Sequence, residues 1–100
     1  MADAAITSGT RTVEQTFPIV NELGLHARAA TKLVQLAARF SSDVEIERDG
    51  TAANAKSIMG VLLLTASQGT FVTVRATGDD AALVVAAIGR LIAERFGEPK

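Results

Sequence analysis

Thr70-Phe71-Val72-Thr73-Val74-Arg75-Ala76-Thr77, followed by Gly78-Asp79-Asp80, carries the clearest structural signal in the chain. Val72, Val74 and Ala76 alternate with polar residues, which is the period of a half-buried strand. Gly78-Asp79-Asp80 then opens a helix, with Asp as its expected N-cap. Leu83, Val84, Ala87, Ile88, Leu91 and Ile92 recur at helical spacing and form its expected buried stripe. Gly97 and Pro99 are stop signals. A strand with one apolar face, followed by a helix with one apolar stripe, predicts a helix laid over a sheet.

The pattern extends upstream. Ser67-Gln68-Gly69 reads as a turn. Ser57 stands where an N-cap belongs, ahead of a short helix over 58–64 whose buried face uses Val61 and Leu64. Residues 44–48 alternate Val and Ile with Glu, Asp49-Gly50 is a two-residue hairpin signal, and 51–54 form the return strand. Before them, 27–40 turns helical, with Ala30, Leu33, Val34, Ala37 and Phe40 on one face, and Ser41-Ser42-Asp43 ends it. Residues 13–20 read as a strand with Phe17 and Ile19 inward, and Pro18, which has no amide hydrogen, places it at a sheet edge. The order β-α-β-β-α-β-α predicts an α+β domain: a four-stranded, mostly antiparallel sheet with three helices on one face.

Composition narrows the function. A chain of 100 residues holds one domain. We expect a loose tail over 1–12, a domain over 13–97 and a short C-terminal end over 98–100. The formal charge of −1 is spread along the chain, which argues against nucleic acid as a partner. The absence of cysteine excludes disulfides and fits a reducing cytoplasm. With one histidine and no cysteine, no metal site is expected, and no cofactor is called for. No apolar run approaches a membrane span, so no membrane insertion is expected, and we expect a monomer.

Gly24-Leu25-His26-Ala27-Arg28 places the single histidine where a loop becomes a helix. A helix N-terminus offers free amides, here those of Ala27 and Arg28, and the positive end of the macrodipole, which together favour a phosphate. Arg28 adds a guanidinium suited to phosphate oxygens. Positive surroundings disfavour imidazolium, and a neutral imidazole has a lone pair and can act as a nucleophile. A hydrogen bond to the other ring nitrogen would fix the tautomer, but its partner is not legible in the sequence. By position alone, a capping His26 without chemistry is the commoner outcome. In Lys56-Ser57-Ile58-Met59-Gly60, phosphoserine at the helix N-terminus would change the surface without unfolding the domain. Ile58 and Met59 are either an exposed docking patch or plain core.

Asn21-Glu22-Leu23-Gly24-Leu25-His26-Ala27-Arg28 and Lys56-Ser57-Ile58-Met59-Gly60, at their spacing, resemble the active-site and regulatory-serine motifs of the HPr family. These are histidine phosphocarriers of the bacterial phosphoenolpyruvate-dependent phosphotransferase system. The resemblance spans about 13–96 and implies an open-faced β-sandwich. It implies phosphorylation of His26 on Nδ1 by phosphorylated enzyme I and transfer to enzyme IIA domains for sugar uptake, with Arg28 assisting. It also implies that Ser57 is a target of HPr kinase/phosphorylase, where the organism has one. Partners would meet the surface around Ile58 and Met59, with Leu62 at its margin. The chain departs from the family at Ala29, where proline is usual, and in its longer N-terminal segment. Phe71, on the expected open face of the sheet, is a further oddity. The alternatives are a regulatory, nitrogen-related phosphotransfer protein, a small phosphatase and a docking module in which His26 is only a cap.

Overall fold

Val72, Val74 and Ala76 are fully buried. Their alternation shows one covered face, and the strand that carries them pairs antiparallel with a neighbour on each side. The computed structural model describes residues 11–100. Its elements are β1 (Thr12–Pro18), α1 (Ala27–Ala37), β2 (Asp43–Arg48), β3 (Thr51–Asn54), α2 (Ile58–Leu62), β4 (Phe71–Thr77) and α3 (Ala81–Ala93). The sheet runs β1-β4-β2-β3, and every pair is antiparallel. Pro18 is therefore on an edge strand, where its missing amide hydrogen costs no ladder bond. Residues 1–10, most of the expected tail, lie outside the described residues; Thr12 already pairs with Thr77, and the Arg11 carbonyl accepts the Gly78 amide.

The two sheet faces divide by register. Val44 and Ile46 stand beside Ala76 and Val74, and all four side chains meet Leu33, Val34, Val61, Val84 and Ile88 in one aliphatic core. Burying each Val, Leu or Ile side chain among them stabilises the fold by about 1.5–3 kcal/mol. The open face carries polar rows instead. Arg75 lies between Glu14 and Glu45 in the register; its guanidinium bonds to Glu14 at 2.7 Å, to Glu45, and to Glu47 at 3.3 Å. Phe71 is on this face, 62% exposed, as its odd-numbered position in the strand requires.

Several boundaries differ from the sequence reading. Helix α1 ends at Ala37, and 38–40 form a turn; α2 ends at Leu62. Leu83, expected in the buried stripe, is 66% exposed, while Val85 and Gly89 are buried in its stead. Gly89 explains the rotation: a Cβ there would stand 2.4 Å from Cε1 of Phe17, so the bare glycine lets α3 lie close against β1. No helix among the described residues is long and apolar enough to cross a membrane.

Asp80 occupies the N-cap position of α3 but makes no side-chain bond to that helix. Its carboxylate accepts the amides of Ser41 and Ser42, each at 2.9 Å, and the Ser42 hydroxyl. The Ser42 hydroxyl foremost, then the Ser41 amide, holds the carboxyl down at about 2, from an ordinary 3.8. A carboxyl depressed in the folded state stabilises above its unfolded pKa and loses that contribution as pH falls through the folded one. Asp80→Asn should therefore lower the melting temperature near neutral pH, and the gap to wild type should close between about pH 4 and 2. Melting curves across that window check it. A gap that does not change with pH would mean that the clamp is not ionic.

Candidate functional site

The loop that delivers the histidine is a tight turn. Asn21 Nδ2 donates to the Gly24 carbonyl at 2.9 Å, and the Gly24 amide donates back to the Asn21 carbonyl at 3.2 Å. Gly24 has φ +66° and lies against the backbone of Ala66 and Ser67, and the Leu25 amide donates to the Ala66 carbonyl at 2.8 Å. With Leu25 buried beneath it, the chain emerges extended at His26, the N-cap of α1. The side chain itself serves as the cap: Nδ1 accepts the Arg28 amide at 3.3 Å. Ala27, Arg28 and Ala29 open the helix, where amides have no intrahelical acceptor. The helix start that the sequence predicts is thus observed, with the histidine itself as its cap. The ring nitrogen facing the helix start is Nδ1, and because Nδ1 accepts a hydrogen bond it carries the lone pair.

The partner of the other ring nitrogen comes from the far end of the chain. After α3, Arg95, Phe96 and Gly97 adopt φ of +59°, +55° and +79°, a left-handed turn that reverses the chain. Non-glycine residues in that region cost on the order of 1–3 kcal/mol each. Full burial of Phe96 offsets the strain, and Lys32 Nζ donates to its carbonyl at 2.6 Å. Glu98 then stands over the histidine, with Oε2 2.5 Å from His26 Nε2 and Oε1 2.9 Å from Asn21 Nδ2. The Glu22 amide, donating to the Lys100 carbonyl at 3.1 Å, pins the end of the chain. Burial pushes the Glu98 carboxyl up, but the hydrogen bonds from Asn21 and His26 and the nearby charge of Lys32 outweigh it and hold it below the ordinary range.

His26 opens onto a depression of about 550 Å³ whose lining includes Leu23, Arg28, Pro99 and Lys100. Arg28 is exposed, and its guanidinium has no hydrogen-bond or ion-pair partner among the described residues. Ser57 is elsewhere, at the head of α2, where its hydroxyl accepts the Gly60 amide at 3.1 Å; no hydrogen bond links it to His26. Of the expected docking residues, Ile58 and Met59 are exposed and Leu62 is half-buried. Leu63, unremarked in the sequence, is 71% exposed. Asn21 and Glu98 are the site residues that sequence reasoning missed. An Asx residue ahead of a turn glycine was the available signal for Asn21; nothing local marked Glu98.

An antiparallel four-stranded sheet covered by three helices in this order has counterparts among known proteins. Residues 13–94 match the family described as "PTS HPr component phosphorylation site". The chain belongs to the HPr family. It is 46% identical over 86 residues to the phosphocarrier protein HPr of Xylella fastidiosa, covering 86% of this chain and 97% of that one. It is 51% identical over 80 residues to HPr of Cupriavidus necator, covering 80% and 90%. The crystal structure of HPr-C-His from Thermoanaerobacter tengcongensis superposes with a TM-score of 0.85 at 45% identity, covering 88% of this chain and 99% of that one. HPr proteins are phosphocarriers of the phosphotransferase system, and the expected fold is the one observed.

Proposed function

We propose that this chain accepts a phosphoryl group on Nδ1 of His26 from phosphorylated enzyme I and passes it to an enzyme IIA domain for sugar uptake. The observation that carries the reading is the Nδ1 lone pair held at the N-terminus of α1 by the Arg28 amide. Nδ1 attacks phosphorus, and the donor's P–N bond breaks with its electron pair left on the donor nitrogen. The new phosphoryl oxygens lie where helix amides are free, and the Arg28 guanidinium, without a partner among the described residues, is within the same depression. The amide bond to Nδ1, long at 3.3 Å, is readily exchanged for one to a phosphoryl oxygen. Incubation with enzyme I and phosphoenolpyruvate should give an acid-labile, base-stable phosphoprotein. Turnover of a phosphate ester would favour a hydrolase, and absence of labelling a docking module.

The same reading makes Ser57 a site of regulatory phosphorylation by HPr kinase/phosphorylase, beside a partner surface of Ile58, Met59 and Leu62. Exposure of Ile58 and Met59 supports it. Ser57→Ala removes a cap that is in use, so it should cost about 1 kcal/mol of stability and leave transfer unchanged. Ser57→Asp should keep the cap and slow transfer from enzyme I, because a charge beside the apolar contact must be desolvated on docking. Melting curves and initial transfer rates for both variants make a crossed test. Equal rates for Asp and wild type at sub-saturating concentrations would leave Ser57 as a cap alone.

A further inference from the structure

We infer that Glu98 is a positioning residue for phosphoryl transfer: clamped by Asn21, its carboxylate holds the Nε2 proton of His26 and faces the ring charge that forms when Nδ1 is phosphorylated. The inference rests on the carrier reading above and extends it to a residue in the last turn of the chain. Two hydrogen bonds define the ring. The Arg28 amide donates to Nδ1, which must then be unprotonated, so the proton is on Nε2, 2.5 Å from Glu98 Oε2. Oε1 is also in use, accepting Asn21 Nδ2, so both carboxylate oxygens act as acceptors. A carboxamide in this position has only one acceptor oxygen and cannot satisfy both donors.

The surroundings are built to keep the carboxylate there. Its side chain is 11% exposed, against 28% for His26, so it is the more sheltered member of the pair. The turn at Arg95–Gly97 is strained, and it is held by Phe96, Lys32 and the Lys100–Glu22 bond, which together return the chain to α1.

The chemical consequence follows from proton accounting. When Nδ1 bonds to phosphorus, His26 keeps its Nε2 proton, so the ring becomes a phosphoimidazolium with one positive charge. Glu98 lies against that charge, with Oε2 at hydrogen-bond distance from Nε2. In onward transfer the Nδ1–P bond breaks, its electron pair returns to Nδ1, and a neutral imidazole leaves with no proton to be lost or gained. A carboxylate on the far nitrogen thus fixes the nucleophilic tautomer before transfer and steadies the cationic ring after it, as an orienting acid does for a catalytic histidine.

With one histidine in the chain, its ring resonances can be followed directly by ¹⁵N and ¹H NMR. Wild type should show an Nε2 proton shifted downfield and slow to exchange with solvent. Glu98→Gln, near-isosteric, and Glu98→Ala should both lose that signal while keeping the dispersed spectrum of the fold. With phosphorylated enzyme I as donor, both should transfer with a maximal rate lowered on the order of tenfold, and with a half-saturating concentration within about twofold of wild type. A protected Nε2 proton retained in Glu98→Ala, or a maximal rate unchanged in both variants, would reduce the contact to a structural tie and overturn the inference while leaving His26 as acceptor. Absence of labelling in wild type would overturn the carrier reading and the role of Glu98 with it.

Discussion

His26→Ala is expected to fold like the parent chain and to take no phosphoryl group from phosphorylated enzyme I. The chain has no other histidine and no cysteine, so no second nitrogen or sulfur nucleophile of comparable strength can substitute. The structural cost should be modest. The lost cap is a single long bond to the Arg28 amide, and losing an N-cap side chain costs about 1 kcal/mol. Glu98 loses one partner but keeps Asn21, and Lys32 remains near enough to favour its charge. A domain of this size should then melt roughly 4–8 °C lower per kcal/mol lost. The core beneath the site, from Leu25 to Ile88, is untouched. Labelling of the variant with an acid-labile phosphoryl group would place the acceptor elsewhere and remove His26 from the reaction.

The fold was legible wherever the pattern was local. The alternation of Val72, Val74 and Ala76 marks a strand with one buried face, and each of those residues is fully buried. Asp49-Gly50 reads as a hairpin, and both residues have positive φ, +49° and +82°, as a type I′ turn requires. Helix α3 was harder because its apolar residues run nearly all round it. Which of them face inward is set by the close approach at Gly89 to Phe17, a contact between residues distant in sequence. Asp80 was read as a cap because the local rule says so; Ser41 and Ser42, close only in the folded chain, compete for its carboxylate and win.

The candidate site divides in the same way. His26 and Arg28 are adjacent to a helix start and so could be read from it. Glu98 is 72 positions from His26, and only the left-handed turn at Arg95–Gly97 brings it back. Gly97 was visible as a stop signal, but a stop signal does not tell where the chain goes next. The segment 98–100, expected to be a plain end, supplies a hydrogen-bond partner to the ring and a latch to Glu22.

Gly24→Ala is expected to be the most damaging small substitution in the loop that carries the histidine. Gly24 has φ +66°, a region that costs an L-residue about 1–2 kcal/mol. A Cβ there would also stand 2.5 Å from the Ala66 carbonyl oxygen and 2.9 Å from Ser67 Cα, both backbone atoms with no side-chain rotamer to give way. Separating the two segments would stretch the 2.8 Å bond from the Leu25 amide to that same oxygen. Overpacking of this kind adds about 1–3 kcal/mol, so the total is on the order of 3 kcal/mol and the melting temperature should fall by more than about 10 °C. Function should suffer even in the folded fraction, because the Gly24 carbonyl accepts the Asn21 amide that also holds Glu98. Gly69→Ala is the control: its φ is +89°, but nothing lies within 4 Å of the added carbon, so only the backbone cost should appear. Melting curves and labelling rates for the two variants separate strain from crowding. Equal stability of the two would show that the loop yields and that the close approach of Gly24 to Ala66 does not constrain the histidine.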